Sequence, residues 1–142
     1  MQMTKLEAAK QQLTTAIQLF FSGDYLSSLT LAGAAEEILG KLSKRAGKPV
    51  AVDEITRYHG DDLDRTIPEG QRKTVVLGVL NRARNQAKHA NDPEDTHVVF
   101  DHTEPLQMIM RALPMANNLD GSMSEYKEIL DAWIQQHPEA FE

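Results

Sequence analysis

Apolar residues recur every three to four positions over five stretches of the chain, which is the spacing of one face of an α-helix. The first helix is expected to follow the capping-box pair Thr4 and Glu7 and to end near Phe21. The second is expected over residues 25–46, where Gly47 stops it. Because only three residues separate the two helices, we expect them to form an antiparallel hairpin.

The middle of the chain contains a long connection and the third helix. Residues 47–69 are rich in Gly, Pro and Asp, and one short helix is expected within them near residues 53–58. The third helix is expected over residues 71–88, and Asn91 and Pro93 follow its end. Its buried stripe is predicted to consist of Val76, Leu80, Ala83 and Ala87.

The last third of the chain predicts two more helices. The fourth begins near Thr103, and Pro114 is expected to kink or end it. A short apolar link at residues 98–100 precedes it as an extended piece, and the fifth helix is expected over about residues 123–136. The predicted buried residues are Leu106, Ile109, Met110 and Leu113 in the fourth helix, and Tyr126, Ile129, Leu130, Trp133 and Ile134 in the fifth.

These elements together predict an all-α bundle of about five helices, folded as one domain over residues 1–142. The length and the 41% content of hydrophobic residues suit one globular domain. Absence of cysteine excludes disulfides, thiol catalysis and cysteine metal sites. No stretch approaches the roughly 18 apolar residues of a membrane span, and no secretory core follows the first residues. We therefore expect a cytoplasmic protein with no membrane partner.

Charge is distributed unevenly along the chain, whose formal net charge is −6. Residues 41–91 carry eleven Lys and Arg against six acidic residues, whereas residues 92–142 carry two against eleven. The basic middle segment permits an anionic ligand there. The acidic total argues against a high-affinity binder of duplex DNA, which would normally present a broad basic face.

The most unusual stretch is the polar run at residues 81–91, at the end of the third helix. On a helical wheel, Asn81, Arg84 and Lys88 lie on one flank, whereas Asn85 and His89 lie on another. Arg84 and His89 can therefore share a site only if the chain leaves helical geometry near Lys88 or a second subunit supplies half of the site. Alternatively, these cations only complement the negative end of the helix dipole.

Residues 84–89, Arg-Asn-Gln-Ala-Lys-His, resemble the Arg-X4–6-His motif of the HEPN superfamily (higher eukaryotes and prokaryotes nucleotide-binding domains). The second helix, with its small residues between positions 29 and 40, is similar to the helix that precedes the motif helix in many such domains. The resemblance covers about residues 5–115 and implies a small helical bundle that forms a homodimer.

The resemblance also implies a function. Active HEPN proteins are often ribonucleases that need no metal or other cofactor and that cleave by attack of the ribose 2′-hydroxyl. By position, Arg84 would neutralise the scissile phosphate, His89 would act as general base or acid, and Asn85 would orient one of them. Other HEPN domains are non-catalytic, so the alternative is a module that binds a nucleotide or a partner protein. Such a module could be the partner subunit of a nucleotidyltransferase in a two-gene system.

Glu36 is a further candidate, because it lies on a face of the second helix that carries Gly33 and Gly40. If another helix packs on that face, the carboxylate needs a cationic partner, and Arg84 and His89 are the candidates. The alternative is a surface glutamate beside Glu37.

Binding residues are therefore predicted to be Asn81, Lys88 and Glu36, beside the RNA or nucleotide site at Arg84. No metal site is expected. The loop at residues 59–64 lacks the alternation of an EF-hand. The Glu-x-x-His spacing of Glu94 and His97 has no second copy in the sequence.

Overall fold

The structure, a computed structural model, describes residues 1–59 and 66–141, and these residues form helices and connections without any strand. This confirms the all-α prediction, although seven α-helices are found in the described residues instead of about five. The helices are α1 (Lys5–Ser22), α2 (Tyr25–Arg45), α3 (Ala51–His59), α4 (Glu69–Leu80), α5 (Arg82–Lys88), α6 (Thr103–Asp120) and α7 (Ser124–Gln136), followed by a 3₁₀ turn at Pro138–Phe141.

Local sequence signals fix the ends of α1 and α2. The predicted capping box is present, since Thr4 Oγ1 accepts from the Glu7 N–H at 3.0 Å and Glu7 Oε2 accepts from the Thr4 N–H at 2.8 Å. α1 ends at Gly23, whose φ of 88° favours glycine. Asp24 then caps α2 by accepting a hydrogen bond from the Ser27 N–H at 3.1 Å.

The hairpin of α1 and α2 packs against α6, and these three helices form the core. Ser28, early in α2, donates its hydroxyl to the carbonyl oxygen of Ala16 in the second half of α1 at 2.7 Å, so α2 runs back along α1 as expected. The largest buried apolar side chains of this core are Leu13, Ile17, Leu29, Leu39, Leu106, Ile109, Leu113 and Met115.

The helix expected over residues 71–88 is divided at Asn81 into α4 and α5. Val76 and Ala83 of the predicted stripe are buried, and Ala87 packs against the core. α5 packs on α2, whereas α4 packs on α3. The division matters for function because the polar run lies on α5 and at the junction between the two helices.

The sequence correctly predicts the start of α6 at Thr103. Of the two effects expected of Pro114, a kink or the end of the helix, the second does not occur. The helix continues to Asp120. Proline has no backbone N–H, so the carbonyl of Met110, four residues before Pro114, loses its usual helical donor. Both residues are exposed, so water can satisfy that carbonyl. Met110 is 40% exposed, contrary to its predicted burial, and Arg111 is buried next to it.

The last helix, α7, closes one side of the core. Its Leu130 is buried, and Trp133 packs edge-on against Phe20 of α1 with ring centroids 4.9 Å apart. Ile129 was predicted to be buried, but it is half exposed because it lies on the outer side of the helix. No helix in the described part of the chain is both long and apolar enough to cross a membrane.

Candidate functional site

A buried carboxylate lies where α2, α5 and α6 meet. Glu36 of α2 is only 4% exposed, so the interpretation of this residue as a surface glutamate is wrong. Its Oε2 lies 3.5 Å from Nη1 of Arg84, which confirms one of the two predicted partners. The other predicted partner, His89, is exposed and makes no ion pair with Glu36 among the described residues.

The second partner of Glu36 is Arg111 of α6, which the sequence analysis missed. Arg111 Nη2 donates to Glu36 Oε1 at 2.9 Å and to Asn81 Oδ1 at 3.1 Å, and both bonds are buried. Asn81, predicted as a binding residue, is thus a buried acceptor at the junction of α4 and α5. We call Glu36, Asn81, Arg84 and Arg111 the Glu36 cluster.

The Glu36 cluster carries one carboxylate and two guanidinium groups, so its formal charge is +1 in an interior position. Nε of Arg84 and Nε of Arg111 are buried and have no hydrogen-bond partner among the described residues. Buried donors and buried charge are unfavourable unless they are compensated. The cluster therefore has the electrostatic character of a site that an anion would stabilise.

A glycine makes room for Arg84 beside α2. A Cβ atom built on Gly33 would lie 2.6 Å from Cγ of Arg84 and still closer to its Cδ, distances that real side chains do not tolerate. The aliphatic part of Arg84 therefore lies directly on the backbone of α2. This close approach brings the guanidinium to Glu36, one turn further along the same helix.

A crevice of about 280 Å³ opens next to the cluster, between α2, the start of α3, and α4. Glu36, Asn81 and Arg84 line it on the side of the cluster. The rest of its lining carries the lysines Lys41, Lys44 and Lys73 and the acids Glu37 and Asp53. The Arg84 side chain is 11% exposed, so it reaches the crevice from an otherwise buried position. Arg84 thus lines the crevice with a cationic side chain that a small anionic group can approach.

The other predicted site residues lie outside this crevice. Asn85, Lys88 and His89 are exposed. The backbone leaves helical geometry at His89, which has φ −126° and ψ 147° and donates its N–H to the carbonyl of Asn85 at 3.1 Å. One chain therefore brings Arg84, Asn81 and Glu36 together but does not bring His89 into the same crevice.

The described residues contain no group of three or more His, Asp and Glu side chains that could hold a metal ion. Residues 60–64 of the acidic loop considered in the sequence lie outside them. Glu94 and His97 are exposed, and His97 Nδ1 is 2.6 Å from the hydroxyl of its neighbour Thr96. Comparisons of the chain with protein-family models, with curated proteins and with solved structures found no match.

Proposed function

We propose that this chain is a HEPN-like helical module that binds a phosphate-bearing ligand, RNA or a nucleotide, with Arg84 as the anchoring residue. The observation that carries the proposal is the formal charge of +1 on the buried Glu36 cluster, one arginine of which lines a crevice. A bound phosphate would compensate that charge and accept hydrogen bonds from the guanidinium.

The chemistry of arginine supports this ligand class. A guanidinium presents up to two parallel N–H donors to a phosphate, which gives both strength and orientation. Glu36 fixes the Arg84 side chain in advance, so binding does not have to immobilise a flexible cation. The crevice of about 280 Å³ is slightly smaller than the usual range of about 300–1,000 Å³ for ligand sites and suits one phosphate with part of its sugar.

The direct test is titration of adenosine monophosphate and of a short single-stranded RNA into Arg84→Gln and into a matched control, Arg82→Gln. Arg82 lies on the same helix, but it is half exposed and faces Glu104 at 3.6 Å, outside the crevice. We expect Arg84→Gln to weaken binding at least tenfold, because a charge-assisted contact is worth about 1.5–3 kcal/mol. Arg82→Gln should stay within about twofold of wild type.

Circular dichroism and thermal melting must accompany that titration, since Arg84 is part of a buried network. Arg84→Lys keeps a cation at this position but loses the planar fork, so it should bind less tightly than wild type without losing the fold. Wild-type affinity in a folded Arg84→Gln protein would remove the proposed role of the crevice.

A second candidate function is metal-independent RNA cleavage, and the exposure of His89 and Asn85 at one helix end favours it. In such a reaction the ribose 2′-oxygen bonds to the adjacent phosphorus and the bond from phosphorus to the 5′-oxygen breaks. A general base takes the 2′-hydroxyl proton and a general acid protonates the 5′-oxygen. His89 would serve in this proton transfer, and Arg84 would neutralise the phosphate, with the two groups meeting across a homodimer axis.

Cleavage is tested by incubating RNA with the purified protein in excess chelator. Wild type should yield 2′,3′-cyclic phosphate ends, and His89→Ala should yield none, while His97→Ala serves as an exposed histidine control. A mixture of the Arg84→Gln and His89→Ala proteins should regain activity if each site takes one residue from each chain. Absence of cleavage by wild type would dismiss this candidate and leave the binding proposal in place.

A further inference from the structure

A second depression, of about 410 Å³, adjoins the crevice at the turn between α2 and α3. Lys44, Val50 and Asp53 line both, so the two form one continuous groove. The groove begins at Arg84 and extends past the end of α2 to Lys48 and the outer part of α3. A ligand anchored at Arg84 can therefore continue along the surface without leaving the protein.

Cations from three segments line this second depression: Lys44 from α2, Lys48 from the turn and Arg57 from α3. All three are exposed, and none makes an ion pair with an acid among residues 1–59 and 66–141. Two acids line the same depression, Asp53, which is paired with Lys73 at 2.5 Å, and Glu54, so the three cations outnumber the one acid that Lys73 does not neutralise. These positive charges are therefore available to a ligand.

The whole groove is lined by six basic and four acidic side chains, a net charge of +2 in a chain whose total is −6. Lys44 and Arg57 lie near the carboxyl ends of their helices, where a cation also complements the helix dipole. That effect explains each position separately. It does not explain why Lys48, which belongs to no helix, faces the same depression as both.

We infer that Lys44, Lys48 and Arg57 form a second anion subsite, which takes a further phosphate of the ligand anchored at Arg84. The inference rests on the proposed binding function and deepens it, since it makes the ligand one that carries at least two phosphates. Such phosphates come from two sources, the phosphate chain of a nucleoside triphosphate or the sugar–phosphate backbone of an oligonucleotide. The ammonium groups of Lys44 and Lys48 suit both sources, because a lysine binds a phosphate as a point charge and requires no fixed orientation of the phosphate oxygens.

The test compares three ligands: adenosine monophosphate, adenosine triphosphate and an eight-nucleotide single-stranded RNA. Each is titrated into wild type, into the double variant Lys48→Gln with Arg57→Gln, and into a control double variant, Lys5→Gln with Lys127→Gln. The control removes the same charge from exposed positions on α1 and α7. The readout is the affinity for each larger ligand divided by the affinity for the monophosphate.

In the Lys48 and Arg57 variant, this ratio should fall at least fivefold for the ligand that reaches the subsite, while the control keeps the wild-type ratio. A fall for the triphosphate identifies a phosphate chain, whereas a fall for the RNA alone identifies the backbone. For RNA, the slope of log affinity against log salt should also flatten by about 1.4, since each single-strand phosphate contact contributes about 0.7. Wild-type ratios for both larger ligands would overturn the subsite alone, whereas failure of wild type to bind any of the three would overturn the proposed function with it.

Discussion

The side chain of Arg84 fills the space between α2 and α5 that a side chain on Gly33 would need. We predict that Gly33→Ala displaces the Arg84 stem and separates its guanidinium from Glu36. The added methyl group improves helix propensity by about 1 kcal/mol, but overpacking costs about 1–3 kcal/mol, so unfolding should become easier. Phosphate affinity, if Arg84 binds it, should fall with the displacement.

Gly40 provides the control on the same helix, because a Cβ there would meet Val50 Cγ1 at an ordinary 3.7 Å. Gly40→Ala should therefore raise the free energy of unfolding by about 0.5–1 kcal/mol. Urea denaturation measures both variants. Equal stabilisation of the two proteins would contradict the steric relationship between Gly33 and Arg84.

Arg111 is expected to be the main electrostatic partner of Glu36, since its 2.9 Å contact is shorter than the 3.5 Å contact of Arg84. Arg111→Met keeps an unbranched side chain but removes the cation and leaves Asn81 without its donor. Because Arg84 still faces the carboxylate, the variant loses two charge-assisted hydrogen bonds without leaving Glu36 unpaired, and the free energy of unfolding should fall by about 2 kcal/mol. The urea midpoint should fall accordingly.

Lys127→Met is the matched control, because it breaks an exposed pair with Asp131 on α7. Exposed pairs contribute little, so its unfolding curve should superimpose on that of wild type. If Arg111→Met proved as stable as this control, the Glu36 cluster would have no structural importance.

We predict that replacing two buried serines of α2 by alanine changes the stability of the protein in opposite directions. Ser28 donates to the carbonyl of Ala16, so Ser28→Ala should destabilise the protein by about 1 kcal/mol. The hydroxyl of Ser43 is buried without a partner among the described residues, so Ser43→Ala should be neutral or stabilising by up to about 1 kcal/mol. Thermal melting of the two variants distinguishes the cases, and a loss of stability in Ser43→Ala would mean that its hydroxyl is satisfied in solution.

Asp120, at the end of α6, makes stability depend on pH in the acid range. The Lys10 ammonium, which donates a hydrogen bond at 2.7 Å, and the N–H and hydroxyl of Ser122 lower the pKa of this carboxyl to about 2. A lowered pKa in the folded state means that the stabilisation is complete above about pH 4, where the unfolded carboxyl is ionised, and is lost as the pH falls to about 2.

The measurement is the difference in melting temperature between wild type and Asp120→Asn from pH 5 to pH 2. This difference should be small, since the pair is partly exposed, and should approach zero at the acid end. A difference that stays constant or grows in acid would contradict the assigned role of Lys10.

Helix positions were predictable because the signals that set them are local. The capping box at Thr4 and the glycine at position 47 act within a few residues, and periodicity marks the stretch between such signals. No proline accompanies the break at Asn81, and Gly78, three residues before it, does not by itself end a helical pattern. There the buried hydrogen bond from Arg111 of α6 is a long-range contact that the sequence of the α4–α5 region does not encode.

The partner of Glu36 was predictable only in part. A carboxylate on a contacted helix face needs a cation, which correctly indicated Arg84. Arg111 was missed because the buried face of α6 was drawn from apolar residues alone, which placed Met110 inside. Met108, Arg111 and Met115 are spaced at i, i+3 and i+7, so they lie on the same buried face of α6. A helical wheel that included polar residues could therefore have identified Arg111 as buried.

The Glu36 cluster also has a consequence for the uniqueness of the fold. Leucine, isoleucine and alanine side chains tolerate small shifts between helices, because contacts among them have no direction. The bonds from Arg84 and Arg111 to Glu36 are directional and reach across α5, α2 and α6. If α6 slid by one turn along α2, the carboxylate would lose its 2.9 Å contact with Arg111 and keep only the longer contact with Arg84. The hydrogen bonds of the cluster therefore favour one register of α6 along α2, which the apolar contacts alone do not select.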